Sequence, residues 1–254
     1  MTTEEMQIAF TDTPGIHKPS TELQRRMVNA SYDAAKGVDC VIFMTTPLKS
    51  VLKGDQIILD NLKNTKVPVF LVINKVDQLK RFNDIDLTIH LYKDLYPFAG
   101  VFPISVLEDK NMDVLLDTIR QVLPFGPKLY PDDMLSDHPE RFLIGELIRE
   151  KILDATKQEI PHSIAVVVDS MKPCEDNPDY TDIYATIYVE RDSQKKIIIG
   201  KDGDLIKTVK QRAIHDIRLL LGKKVHLDLW VKVKKDWKDR PDDLRILGYS
   251  TDNF

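Results

Sequence analysis

The chain has 254 residues, 43% hydrophobic and 30% charged, with 14 prolines and 10 glycines, an ordinary soluble composition with enough apolar content for two cores. No apolar run approaches the roughly 18 to 20 residues of a membrane span, and the first residues lack the basic-then-apolar order of a signal peptide, so neither export nor insertion is expected. The cysteines, Cys40 and Cys174, lack metal-ligand spacing and suit a reducing compartment, which predicts free thiols in a cytoplasmic protein. The net charge of -4 conceals a segregation: residues 191–240 hold 15 Lys/Arg against 7 Asp, or +8, leaving 21 against 33, or -12, elsewhere. A basic stretch of that kind meets a polyanion, although a solvated helix and strand face is the plainer reading of charge alone.

In chain order, a short strand over residues 7–10 runs into Asp12, Thr13, Pro14, Gly15 and Ile16. Asp12 at a strand end suits a Mg²⁺-bound water, and the Gly15 N–H can approach a γ-phosphate without interference from a Cβ. Val- and Ile-rich apolar runs follow at 38–44, 67–73 and 101–104, separated by helix-length segments such as 54–64 and 112–123. That alternation predicts an α/β domain, a mostly parallel sheet with helices on both faces. The second run leads into Asn74, Lys75, Val76 and Asp77, and the third into Ser105 and Val106. The Asp77 carboxylate can accept from guanine N1–H and N2–H₂ while the Lys75 stem packs on the base, and adenine offers no such donor pair. Ser105-Val106 is where a backbone N–H would meet guanine O6; a plain strand-to-loop exit is the alternative. Ile16 follows Gly15, and an aliphatic side chain there cannot orient an attacking water. No residue is assigned as catalytic, because a loop histidine such as His17 is more often a bystander.

Three prolines and a glycine in residues 124–131 forbid a regular element, so residues 128–138 are expected to link a first domain, 1–127, to a second, 139–254. The second domain reads as a helix over 139–157, strands over 163–169 and 183–189, a glycine turn, a helix ending at 221 and a strand over 225–234. This order predicts an α+β fold. The turn, Gly200, Lys201, Asp202 and Gly203 between Ile199 and Ile206, fits the Ile-Gly-x-x-Gly-x-x-Ile core of a KH domain, whose glycines let an RNA backbone approach a helix N-terminus. The basic helix that follows, with Lys207 and Lys210, supports phosphate contact. Alternation in the last strand puts Leu227, Leu229, Val231 and Val233 inward and His226, Trp230 and Lys232 outward, where Trp230 could stack on a base or rest on its own rim.

The runs Asp12-Thr13-Pro14-Gly15-Ile16-His17-Lys18-Pro19 and His138-Pro139-Glu140-Arg141-Phe142-Leu143-Ile144-Gly145-Glu146-Leu147-Ile148-Arg149-Glu150-Lys151 resemble the Era family of bacterial GTPases, and the likeness spans essentially the whole chain. It implies an incomplete Ras-like GTPase domain followed by a type II KH domain. It also implies GTP or GDP with Mg²⁺ as ligands, the 3′ end of 16S ribosomal RNA and the 30S subunit as partners, and a monomer with peripheral membrane association. Two departures stand out. Val106 replaces the usual Ala, at a position where the backbone makes the contact. The sequence also contains no Gly-x-x-x-x-Gly-Lys-Ser/Thr, so the phosphate loop, first switch and first strand of the family are missing, which sets GTP hydrolysis and tight nucleotide binding by this polypeptide in question. A non-enzymatic RNA-binding protein with a GTPase half used for docking is the alternative reading.

Overall fold

The computed structural model describes residues 1–11, 21–23, 37–79, 83–132, 134, 136, 138–156 and 164–247. The chain forms two compact units, Met1–Ser20 with Gln24–Met134, and Thr21–Leu23 with Leu135–Phe254.

In the first unit, three strands, β1 (Val41–Thr45), β2 (Val69–Ile73) and β3 (Gly100–Pro103), form a parallel sheet in the order β1-β2-β3. β2 is apolar at every position and buried at every position, because helices cover both faces of a parallel sheet. On one face Phe43, Leu71 and Ile73 pack with Leu59 and Leu62 of α1 (Lys53–Leu62) and Tyr92 of α2 (Asn83–Lys93). On the other, Phe70, Val72 and Ile104 pack with Leu115 and Ile119 of α3 (Met112–Val122) and with Ile8. The expected α/β layering is present. The strand expected over residues 7–10 is not. Among the described residues its one pairing is an isolated antiparallel bridge between Thr2 and Gln7, and Ile8 exchanges hydrogen bonds with Met1, whose ammonium donates to Ile8 O at 2.9 Å. The Gln7 carboxamide turns instead to the connector, donating to Tyr130 O at 2.8 Å and accepting from Leu129 and Tyr130 N–H at 2.8 and 2.9 Å. The backbone N–H and C=O of Ile8 that a ladder would have used are thus met by Met1.

The second unit opens with α4 (Glu140–Thr156), then β4 (Ile164–Pro173), β5 (Tyr180–Val189), α5 (Asp192–Ile199), α6 (Asp204–Leu221), β6 (Lys224–Val233) and α7 (Pro241–Ile246). β4 pairs antiparallel with β5, bulging at Asp169, and β5 pairs parallel with β6 over ten residues. Ile144, Ile148 and Ile152 of α4 and Val209, Ala213 and Ile217 of α6 recur every four residues, all fully buried, and bury the same sheet face as Ile183, Ile187, Leu227 and Val231. Gly145 lets α4 approach β4 closely, since a Cβ there would stand 3.1 Å from Val166 O. Helix α5, between β5 and the glycine turn, was not anticipated from sequence. Its eight residues carry lysines at 195 and 196 among isoleucines and read as flanks of the turn. No helix among the described residues is long and apolar enough to cross a membrane.

The two sheets differ in strength. Strands of the first unit are five, five and four residues long, and among the described residues β1 has a ladder partner on one side only, with Met44 54% exposed, whereas all three strands of the second unit have ten residues. Limited proteolysis of the whole chain is therefore expected to remove the first unit early and leave a resistant fragment beginning between residues 128 and 138, read by mass spectrometry. Equal persistence of both units would contradict this ranking.

Candidate functional site

The first candidate surface forms at the carboxyl ends of β2 and β3, where ligands of parallel α/β sheets bind. Asn74 N–H extends the β1–β2 ladder by donating to Thr45 O at 2.8 Å, after which Lys75 turns the chain with a left-handed backbone (φ 65°, ψ 34°) into a single 3-10 turn, Val76–Gln78. A non-glycine residue in that region costs energy unless the surroundings hold it. Here Asn74 Oδ1 accepts from Lys75 N–H at 2.7 Å and from Val106 N–H at 3.2 Å, and Val76 N–H donates to Ile104 O at 3.2 Å. One carboxamide thus ties the two loops together. Ser105, fully buried, donates its hydroxyl to Asp77 Oδ1 at 2.6 Å and accepts from Glu108 N–H at 3.2 Å. The Ser105 loop is closed by paired backbone bonds with Lys110 and by Asn111, itself left-handed (φ 57°), whose amide donates to Pro103 O at 2.8 Å.

Asn74, Lys75, Val76, Asp77, Ser105 and Val106 therefore meet in one surface, with the Asp77 carboxylate fixed from behind and Lys75 and Val106 exposed. Two details were not legible from sequence. The Val106 N–H, expected to face a ligand, is engaged by Asn74 Oδ1, and the Ser105 hydroxyl is the group that aims Asp77. The left-handed Asn111 was the available signal for the loop closure, since Asn tolerates that conformation best among residues with a Cβ. Asp12, Thr13, Pro14, Gly15 and Ile16 lie outside the described residues, and with them the proposed Mg²⁺ contact.

The second candidate surface is the turn between α5 and α6. Gly200 adopts φ 75°, ψ 176°, a region essentially restricted to glycine, and a Cβ there would lie 2.7 Å from Leu205 Cβ and 2.9 Å from Leu205 N. Asp202 and Gly203 are left-handed (φ 53° and 78°), and a Cβ on Gly203 would meet only Lys207 Cε at 3.8 Å. The turn presents Lys201 and Asp202 to solvent at the N-terminus of the 18-residue α6, whose unpaired N–H groups favour an anion. Lys201 has no ion-pair partner among the described residues. Lys207 Nζ donates to Asp202 O at 3.3 Å and lies 3.8 Å from Asp204, while Lys210 pairs with Asp228 of β6 at 3.0 Å. The β6 alternation is as read from sequence: Val225, Leu227 and Val231 are buried, and Trp230 is 64% exposed on the opposite face.

The two turn glycines are not equivalent. Gly200→Ala is expected to lower the stability of the second unit by about 1–3 kcal/mol, through its forbidden backbone and the contact with Leu205, whereas Gly203→Ala costs only the left-handed preference, about 1 kcal/mol. Urea denaturation of the two variants decides it, and equal midpoints would show that the Gly200 geometry is wrong.

Residues 159–238 match the KH domain family, and residues 1–75 match a family described as a 50S ribosome-binding GTPase. A crystal structure of a point variant of Aquifex aeolicus Era bound to GDP.AlF4- superposes with a TM-score of 0.86 at 37% identity, covering 94% of this chain and 81% of that one. A structure of Era in complex with MgGDPNP and nucleotides 1506-1542 of 16S ribosomal RNA gives the same TM-score and identity, over 94% of this chain and 80% of that one. An α/β unit with a parallel sheet followed by a KH domain is thus shared along nearly the whole length, and the chain belongs to the Era family of GTPases.

Proposed function

We propose that this protein is a guanine-nucleotide-binding protein that binds the 3′ end of 16S ribosomal RNA and acts in assembly of the 30S subunit. The observation that carries the reading is the presence in one chain of two differently built surfaces. One is a base-reading surface made by Asn74–Asp77 and Ser105-Val106; the other is a glycine turn opening a basic helix. A 37% identical relative was solved with both a nucleotide and 16S RNA. Nothing observed favours a docking-only role for the first unit. The protein acts as a cytoplasmic monomer, with residues 1–127 reading nucleotide, 128–138 linking and 139–254 reading RNA. Membrane association is peripheral, at the inner face, as the family resemblance implies.

The described residues fit the base of the nucleotide. Asp77, aimed by Ser105, accepts from guanine N1–H and N2–H₂, the Lys75 stem covers the ring, and the Val106 N–H passes from Asn74 Oδ1 to guanine O6 or is shared between them. Asp12, Thr13, Pro14, Gly15 and Ile16 are assigned to the phosphates, with Asp12 on a Mg²⁺-bound water. When bound, the ion neutralises phosphate charge. In the KH unit, Gly200, Lys201, Asp202 and Gly203 clamp the RNA backbone while Lys207 and Lys210 add phosphate contacts.

Phosphate contacts are charge-assisted bonds worth roughly 1.5–3 kcal/mol each, so a polypeptide without a Gly-x-x-x-x-Gly-Lys-Ser/Thr loop should bind GDP at about millimolar Kd or weaker, where an intact site is micromolar. Titration with fluorescent GDP checks this, and low-micromolar saturation would refute it. RNA binding needs none of those contacts. Lys201→Asp keeps both glycines and is expected to weaken a labelled 16S 3′-end RNA by about 10- to 100-fold and to flatten the slope of log K against log salt by about 0.7 per lost contact. Unchanged affinity and slope in a mutant folded by circular dichroism would remove the turn from the RNA surface.

A further inference from the structure

Three potential metal ligands, two from strands and one from the β4–β5 hairpin, meet at one end of the second sheet. Cys174 follows β4 directly, Asp182 lies in β5 and His226 in β6, where Asp182 and His226 are register partners. Cys174 N–H donates to Tyr180 O at 2.9 Å, which closes the β4–β5 hairpin and brings the thiol to its neighbours. One ligand atom from each of the three residues lies within 4.8 Å of the other two.

The donor set joins a soft thiolate, an imidazole nitrogen and a carboxylate oxygen, a combination zinc accepts. Tetrahedral zinc, with Zn–S about 2.3 Å and Zn–N or Zn–O about 2.0–2.2 Å, sets its ligand atoms roughly 3.3–3.6 Å apart. His226 Nδ1 and Asp182 Oδ1 stand 3.0 Å apart and the Cys174 thiol lies within 4.8 Å of both, so small side-chain adjustments would bring the three atoms to tetrahedral spacing. The imidazole is held by stacking on Tyr180, with ring centroids 4.5 Å apart and planes at 23°. The hairpin loop 174–179 is acidic, with Glu175, Asp176 and Asp179 and no basic residue. Two lysines border the cluster: Lys172, the register partner of Asp182, pairs with Glu175 at 3.3 Å, and Lys224 lies over the Tyr180 ring at 5.4 Å. Asp182 is largely covered and the His226 side chain 59% exposed, which leaves the fourth corner open to water.

We propose that Cys174, Asp182 and His226 form a zinc site that staples the three strands of the KH sheet, with water as the fourth ligand. The ion takes the place now held by the proton between His226 and Asp182, and the Cys174 thiol gives up its proton to solvent as the Zn–S bond forms. Because the three ligands converge only in the folded sheet, binding stabilises the folded KH unit. Cys40, the other thiol, is half-buried, and burial, followed by the charge of Asp39, pushes it up, so it competes poorly as a thiolate.

Cobalt(II) added to the metal-free full chain is the test, because a thiolate ligand gives a near-ultraviolet charge-transfer band. A band saturating at one equivalent and bleached by zinc is expected. Cys174→Ser should abolish it, Asp182→Asn and His226→Gln should each weaken binding by at least about tenfold, and Cys40→Ser should leave it unchanged. Zinc should raise the unfolding temperature of the parent and not that of Cys174→Ser. No band at millimolar cobalt, or a band that survives Cys174→Ser, would reduce the cluster to a His–Asp pair beside a bystander thiol.

Discussion

The strand Val69–Ile73 is the constraint on which the first unit depends. It is the middle of the sheet, paired on both sides and covered on both faces, so neither its register nor its direction can slip without exposing a wholly apolar segment. Because β3 runs parallel beside it, the segments after Ile73 and Pro103 leave the sheet at the same end, and Asn74 and Ser105 become neighbours although 31 positions separate them. The hydrogen bonds from Val106 N–H to Asn74 Oδ1 and from Ser105 Oγ to Asp77 Oδ1 then hold the loops in a single arrangement. Buried Ser105 is central because its hydroxyl both donates and accepts, which leaves the carboxylate aimed before any ligand arrives. Pre-orientation of this kind raises selectivity, since a ligand lacking the complementary donors leaves a fixed acceptor unpaired.

In the second unit the same logic runs through shape. Gly145 admits the α4–β4 contact and Gly200 admits the sharp exit from α5 against Leu205. The two glycines act differently. At Gly145 the constraint is space within a helix of ordinary geometry; at Gly200 it is backbone conformation as well as space. A glycine pattern in sequence cannot separate these cases, whereas the position of an added Cβ does.

What was legible in the sequence follows from the range of the forces involved. Alternation in β6 and the uninterrupted apolar run of β2 are local patterns, and both faces emerged as read. The Asn74–Asp77 and Gly200–Gly203 motifs were legible because each is contiguous. Residues 7–10 misled because a short apolar stretch is a strand only if a ladder receives it, and among the described residues the segment bonds to its own beginning and to Leu129 and Tyr130. Cys174, Asp182 and His226 were invisible for the opposite reason. Their spacing of 8 and 44 residues matches no ligand motif, and only strand register brings them together.

Charge on the RNA side needs a comparison of magnitudes, since the structure gives two of the proposed contact lysines carboxylate neighbours. Lys210 and Asp228 are 3.0 Å apart with side chains 40% and 58% exposed. A pair so exposed is worth about 0–1 kcal/mol, less than the roughly 1.5–3 kcal/mol of a charge-assisted bond to phosphate. Lys207 stands at the looser distance of 3.8 Å from Asp204 and is held still less. Both lysines can therefore be recruited by a phosphate backbone at small expense, and the excess of 15 basic over 7 acidic residues across 191–240 keeps the local field attractive even while individual pairs persist. The pairs order the two side chains in the absence of RNA, so the energy lost in breaking them is partly returned as ordering that binding no longer has to supply.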